Sequence, residues 1–143
     1  MAYWFLKSEP TAYGFERLQR EGRAVWDGIR NAQALIHIRA MNRGDRALFY
    51  HTGAEKAVVG TVRIDSAPYA DPGAGDPKLV VVDIVPDRAL DRPVTLAQLK
   101  ADPAFRTLGL VRHSRLSVGP VTAEQWTRIL GLAGGRQGTK PSR

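Results

Sequence analysis

Two stretches near the middle of the chain decide the fold class: Arg-Ala-Leu-Phe-Tyr-His at residues 46–51 and Ala-Val-Val-Gly-Thr-Val-Arg-Ile at residues 57–64. Both are rich in aromatic or β-branched residues, which favour strands. The residues Thr-Gly-Ala-Glu at 52–55 link them. Two strands in succession at this point predict a core that is organised around a sheet.

Further strands are predicted on both sides of this pair. Tyr3 to Lys7 is an aromatic and aliphatic run that ends at Ser8-Glu9-Pro10, because proline fixes φ and removes a donor. Lys78 to Val85 is a Val/Ile run of the kind buried on both faces, and Leu116 to Val121 is the last strand. Residues 68–77 hold three prolines and two glycines and are predicted to be an exposed loop.

Short helices are predicted between the strands. They are residues 15–20, which end at Gly22; a helix capped by Asn31 that ends before Gly44; one opened by Thr95 that stops at Asp102-Pro103; and a final one opened by Thr122. This irregular alternation differs from a regular βαβ rhythm. We therefore expect an α+β, mainly β domain over residues 1–133, a small mixed barrel with peripheral helices, followed by a disordered basic tail over 134–143.

Composition restricts the possible functions. The formal net charge of +7 favours polyanionic partners, nucleic acid first, although codon bias towards arginine would produce the same excess. The chain has no cysteine, which excludes a disulfide scaffold, a thiolate nucleophile and a cysteine-ligated metal. We find neither a secretory signal nor a stretch of the ~20 apolar residues that a spanning helix needs. A cytoplasmic protein with no membrane partner is expected.

Motifs for catalysis are absent from the sequence. His37, His51 and His113 are scattered, and no pair has the spacing that places two metal ligands on one helix face. The sequence has no phosphate-binding glycine loop and no nucleophile elbow. We therefore expect no metal, no cofactor and no catalytic residue, although paired carboxylates leave a hydrolase open.

Three short stretches combine aromatic residues or strand ends with small hydrogen-bonding groups. They are residues 4–10, residues 26–31 and residues 112–118. A pocket for a planar heterocycle needs this mixture, a π-face to stack on and a few donors and acceptors for the ring edge. Each residue also has a structural alternative. Trp26 can be core, Ser8 a turn cap and Asn31 only a helix cap, while Trp4 and Trp126 are expected in the core.

At these residues the sequence resembles the EVE domain family, a branch of the PUA-like superfamily. The shared motifs are Lys-Ser-Glu-Pro at 7–10, Trp-Asp-Gly-Ile-Arg-Asn at 26–31, Phe-Tyr-His-Thr at 49–52, Val-Val-Asp-Ile at 81–84 and Ser-Arg-Leu-Ser-Val at 114–118. Their order and spacing extend from about Tyr3 to Leu132. The resemblance implies a PUA-like pseudo-barrel with a pocket for a modified nucleobase, notably a 5-substituted cytosine in DNA.

The resemblance also suggests the site residues. Trp26 falls where the more distantly similar YTH domains place a cage tryptophan. The expected base-binding residues are Lys7, Ser8, Trp26, Asn31, Ser114 and Leu116, and the expected backbone-binding residues are Arg30, Arg112 and Arg115. The chain departs from the family pattern at Ala32, Leu35-Ile36 and Leu79, so one wall of the pocket is expected to differ.

The sequence thus predicts a non-enzymatic, monomeric module that binds nucleic acid and accepts a modified base flipped into an aromatic and polar pocket. Modified DNA is the first expected partner. The alternatives are an RNA-binding PUA-type module and a nucleic-acid or amide hydrolase of the wider superfamily.

Overall fold

The computed structural model of the chain describes residues 1–134. Its strands are β1 (Tyr3–Ser8), β2 (Ala24–Trp26), β3 (Arg46–His51), β4 (Ala57–Ile64), β5 (Tyr69–Ala70), β6 (Val80–Thr95) and β7 (Val118–Val121). Its α-helices are α1 (Pro10–Tyr13), α2 (Phe15–Glu21), α3 (Ala32–Arg39), α4 (Leu96–Lys100), α5 (Gly109–Arg112) and α6 (Ala123–Gly134), and a 3-10 helix covers Pro103–Phe105.

One mixed sheet organises these elements. Its strand order is β2-β6-β4-β3-β1-β7, and β5 pairs with β6 beside this path. β1 and β3 run parallel, whereas the other pairs are antiparallel. Parallel pairing requires a crossover, which α1, α2, β2 and α3 provide between β1 and β3. The predicted α+β class with peripheral short helices is confirmed.

Strand β6 is longer than the sequence predicts. The predicted strand stops at Val85, but β6 continues to Thr95 and pairs with both β2 and β4. Its register with β4 shifts twice, and one shift lies where Val62 faces Pro86. A bulge tolerates proline because the ladder is interrupted there. Such bulges bend a sheet, so the extra residues of β6 curve it towards a barrel.

The sheet is buried on both faces. Along β1, Trp4 and Leu6 join one core, whereas Phe5 joins the other. The second core includes Trp126, whose ring stacks on Tyr3 with 4.5 Å between the centroids. The predicted core positions of Trp4 and Trp126 are confirmed. Glycine makes the close packing possible, since a Cβ at Gly119 would lie 2.6 Å from the Phe5 ring.

The helix signals in the sequence mark most helix starts correctly. Asn31 accepts the amide of Ala34, and Thr95 forms a capping box with Gln98. Sequence analysis misses four elements that are too short for a periodic pattern, namely β2, β5, α1 and α5. The last strand begins at Val118 rather than Leu116. Gly134, predicted to begin the tail, ends α6, and residues 135–143 lie outside the described residues.

No helix within residues 1–134 is long and apolar enough to cross a membrane. The monomeric state and the cytoplasmic location stay predictions.

Candidate functional site

A cleft of about 570 Å³ opens between the start of α3, the segment around α5 and strand β7. It is lined by Asn31, Gln33, His37, Thr107, Gly109, His113, Arg115, Leu116 and Pro120. Three of the residues predicted from sequence therefore meet here, namely Asn31, Arg115 and Leu116. Leu116 also packs against both cores, so it joins the cleft to the body of the protein. We call this space the α3–β7 cleft.

The side chain of Asn31 caps helix α3 and still has hydrogen-bond donors for a ligand. Its Oδ1 accepts the backbone N–H of Ala34 at 3.0 Å and so caps α3. Its side-chain nitrogen has no hydrogen-bond partner among the described residues and is exposed at the cleft. The cap therefore fixes the amide group with its two N–H donors free for a ligand.

Gln33 and His37 form a polar pair on the same face of α3. The Gln33 side-chain nitrogen lies 3.2 Å from Nε2 of His37. The His37 ring packs near Trp4, with 6.1 Å between the ring centroids, and burial lowers the pKa of His37 below its ordinary value. A lowered pKa keeps the imidazole neutral at pH 7. Sequence analysis did not single out Gln33 and considered His37 only as a metal ligand, although their four-residue spacing on a helix was the available signal.

Lys7 holds the segment that carries Arg115 and Leu116. Its Nζ donates to the carbonyl oxygen of Ser114 at 2.8 Å, and its backbone N–H donates to that of Ser117 at 2.9 Å. Burial lowers the pKa of Lys7. The two predicted residues Lys7 and Ser114 are thus in contact, through the Ser114 backbone. Neither of them lines the α3–β7 cleft.

Ser8 and Trp26 both contact Tyr13, and neither lines the α3–β7 cleft. The hydroxyl of Ser8 donates to the carbonyl of Tyr13 at 2.5 Å, and the Tyr13 ring meets Trp26 edge-on with 6.5 Å between centroids. Trp26 is only 7% exposed and packs edge-on against Phe49 at 5.5 Å. Its buried Nε1 has no hydrogen-bond partner in the part of the chain that the structure describes. These contacts favour the core alternative for Trp26, and a stacking role stays a prediction.

The three predicted backbone-binding arginines are exposed. Within residues 1–134, Arg30, Arg112 and Arg115 form no salt bridge. Arg115 lies at the α3–β7 cleft, whereas Arg30 lines a separate cavity of about 340 Å³ beside Asp27. Unpaired guanidinium groups are available to phosphates.

The side chain of His51 has a structural role. Its Nε2 accepts the backbone N–H of Phe15 at 3.1 Å, and its Nδ1 lies 2.8 Å from Oε1 of Glu55. The Phe15 amide is one of the unpaired donors at the start of α2, so His51 caps that helix from a distant strand. Among the described residues, no group of three or more His, Cys, Asp or Glu side chains is arranged to hold a metal ion.

Comparison with known proteins gives a consistent result. The family model described as EVE domain matches residues 2–132. Mouse thymocyte nuclear protein 1 is 32% identical over an alignment that covers 98% of this chain and 75% of the mouse protein. A solved Rhodopseudomonas palustris protein is 42% identical with a TM-score of 0.88, covering 93% of each chain. The human THYN1 protein, solved in complex with DNA that contains 5-methylcytosine, is 28% identical with a TM-score of 0.82, covering 99% of this chain and 100% of that one.

Proposed function

The chain belongs to the EVE domain family, and from this membership together with the α3–β7 cleft we propose that it is a non-enzymatic reader of modified nucleic acid. It takes a 5-substituted cytosine out of a DNA duplex and holds the extruded base in the cleft. The observation that carries the proposal is the human relative solved with DNA containing 5-methylcytosine. The net charge of +7 supports a polyanionic partner.

The cleft suits a planar base by its chemistry. Leu116 and Pro120 supply apolar surface for a ring face or a 5-substituent, and the Asn31 side chain supplies donors for the ring edge. Lys7 and Ser114 keep the loop with Leu116 in place. Arg115 at the rim, with Arg30 and Arg112 further out, contacts phosphates and positions the strand.

The energetics favour a modified base over an ordinary duplex. Extrusion of a base costs a few kcal/mol, and stacking in a pocket returns about 1–3 kcal/mol. The difference between these two free energies is small, so the contacts made by the modification decide whether the base stays in the cleft. Trp26 and Ser8 do not line the cleft, and a direct stacking role for Trp26 requires the buried ring to become accessible.

The test is a binding screen with matched oligonucleotides. Duplexes that differ only at one position, carrying cytosine, 5-methylcytosine or 5-hydroxymethylcytosine, are titrated with the protein at two salt concentrations, and the same sequences are tested as RNA. We expect preference for a modified DNA base and binding that weakens as salt rises. Equal affinity for all bases in DNA, or a preference confined to RNA, would contradict the proposal.

The hydrolase alternative is tested with the same oligonucleotides. Labelled substrates are incubated with the protein with and without divalent metal, and we expect no product. Product formation that disappears on changing His113, which lies in the cleft, would identify a catalyst instead.

Changing Asn31 separates its two roles. Asn31→Ser keeps a helix-capping oxygen and removes the amide donors, so the free energy of unfolding is expected to stay within about 0.5 kcal/mol of wild type. Affinity for the modified base is expected to fall about tenfold, because one hydrogen bond to the ring edge is lost. Asn31→Ala serves as the control for the cap, since it removes both groups. An Asn31→Ser protein with unchanged affinity would show that Asn31 only caps α3.

A further inference from the structure

A cleft that binds 5-methylcytosine must also distinguish this base from thymine. Both bases carry a methyl group at C5, so a pocket that recognises the methyl group alone accepts either one. They differ at position 4, where cytosine has an amino donor and thymine a carbonyl acceptor. A hydrogen-bond acceptor that faces position 4 in a fixed orientation therefore favours cytosine over thymine.

The side chain of Gln33 can supply such an acceptor. Its side-chain nitrogen lies 3.2 Å from Nε2 of His37. With the amide nitrogen of Gln33 donating, Nε2 of His37 accepts and the ring proton lies at Nδ1, which is the tautomer that the inference assigns to His37. The carbonyl oxygen Oε1 of Gln33 has no hydrogen-bond partner among the described residues, and Gln33 lines the cleft. The pair therefore leaves an acceptor free beside the donors of Asn31.

We propose that Gln33, oriented by His37, selects cytosine over thymine by accepting a hydrogen bond from the 4-amino group of the extruded base. The inference rests on the proposed function of the cleft. Without His37, the Gln33 amide can turn over and offer its NH₂ group to the carbonyl of thymine equally well. A His37 ring protonated at Nδ1 removes this freedom, so Gln33 supplies the contact and His37 is a positioning residue.

The surroundings of His37 support a neutral ring. The ring is half-buried against Trp4, and this burial disfavours the charged imidazolium form. A neutral ring with its proton at Nδ1 presents a lone pair at Nε2 to the amide. Asn31 stands two residues before Gln33, at the cap of the same helix, so one helix end carries both a donor and an acceptor to the cleft.

The experiment compares three oligonucleotides that carry 5-methylcytosine, cytosine or thymine opposite an abasic position, so that no base has a partner to lose on extrusion. We expect wild type to prefer 5-methylcytosine over thymine by about tenfold, the value of one hydrogen bond. In Gln33→Met, which keeps the length of the side chain without its amide, this ratio is expected to fall towards one. The ratio of 5-methylcytosine to cytosine is expected to persist, because the methyl contact remains.

Two controls test the assignment to these residues. Gln19→Met makes the same change at an exposed glutamine of α2, outside the cleft, and is expected to keep the ratio of 5-methylcytosine to thymine. His37→Phe retains an aromatic ring beside Trp4 but frees the Gln33 amide, so thymine is expected to bind better while 5-methylcytosine affinity stays within a few fold. Nitrogen-15 shifts of His37 in the wild type are expected to report a neutral ring protonated at Nδ1.

The outcomes separate this inference from the proposed function. If wild type distinguishes 5-methylcytosine from cytosine and Gln33→Met still rejects thymine, Gln33 is not the selector, although the reader function stands. A His37 proton found at Nε2 would overturn the orienting role. If wild type binds none of the three bases preferentially, the proposed function itself fails.

Discussion

Replacing Trp26 with alanine is expected to lower the free energy of unfolding by about 3–5 kcal/mol, the usual cost of removing a large buried aromatic side chain. Trp26 is 7% exposed and packs against Phe49 and Tyr13, so truncation leaves a cavity in the core shared by β1, β3 and β6. Urea denaturation and thermal melting of the variant measure the loss. A melt close to that of wild type would show that the ring is not part of the core.

The conservative change Trp26→Phe separates stability from recognition. The buried Nε1 of Trp26 has no protein partner within residues 1–134, so phenylalanine loses volume but no recorded hydrogen bond. We expect a cost clearly below that of alanine and a protein folded well enough for binding measurements. If the folded Trp26→Phe protein keeps its preference for the modified base, the indole is not required as a platform. If the variant is fully folded but no longer prefers the modified base, stacking on Trp26 is supported.

The sequence predicts the fold best where burial is complete. β1, β3 and β4 are apolar on both faces, and their runs are therefore visible without knowledge of their neighbours. The continuation of β6 beyond Val85 was missed because Pro86 and the polar residues after it resemble a stop signal. Only the pairing with β4, with its two register shifts, makes that segment a strand. Strand order likewise follows from contacts distant in sequence, which a local pattern does not contain.

Sequence analysis likewise found some residues of the candidate site and missed others. Asn31 and Leu116 were found because each lies in a motif of several residues, and the structure brings both to one cleft. Gln33 was missed, and His37 was considered only as a metal ligand, because the apolar spacing of α3 dominates the pattern there. Trp26 was predicted to bind the base, but a tryptophan beside a glycine turn fits a core position as well as a platform. Its burial depends on Tyr13 and Phe49, which lie in other elements.

The second large effect is expected at Asp45, a buried carboxylate 3% exposed to solvent. It accepts three N–H groups: the backbone amide of Ala2 at 3.1 Å, Nε1 of Trp4 at 3.0 Å and the backbone amide of Asn42 at 2.9 Å. Asp45→Leu is expected to cost about 3–5 kcal/mol, because each buried donor left without an acceptor costs about 1–3 kcal/mol. Chemical denaturation measures the loss.

Asp45 also connects the core to the cleft. The carboxylate accepts a hydrogen bond from the indole of Trp4, and the ring of His37 packs near the same indole. Asp45→Asn retains the shape of the side chain but places an NH₂ group among three donors, so an intermediate loss of stability is expected. The exposed Asp91→Asn is the matched control and is expected to change stability by less than about 0.5 kcal/mol. If Asp45→Asn proves as stable as this control, the three N–H contacts contribute little, and the position of Trp4 behind His37 must be maintained by packing alone.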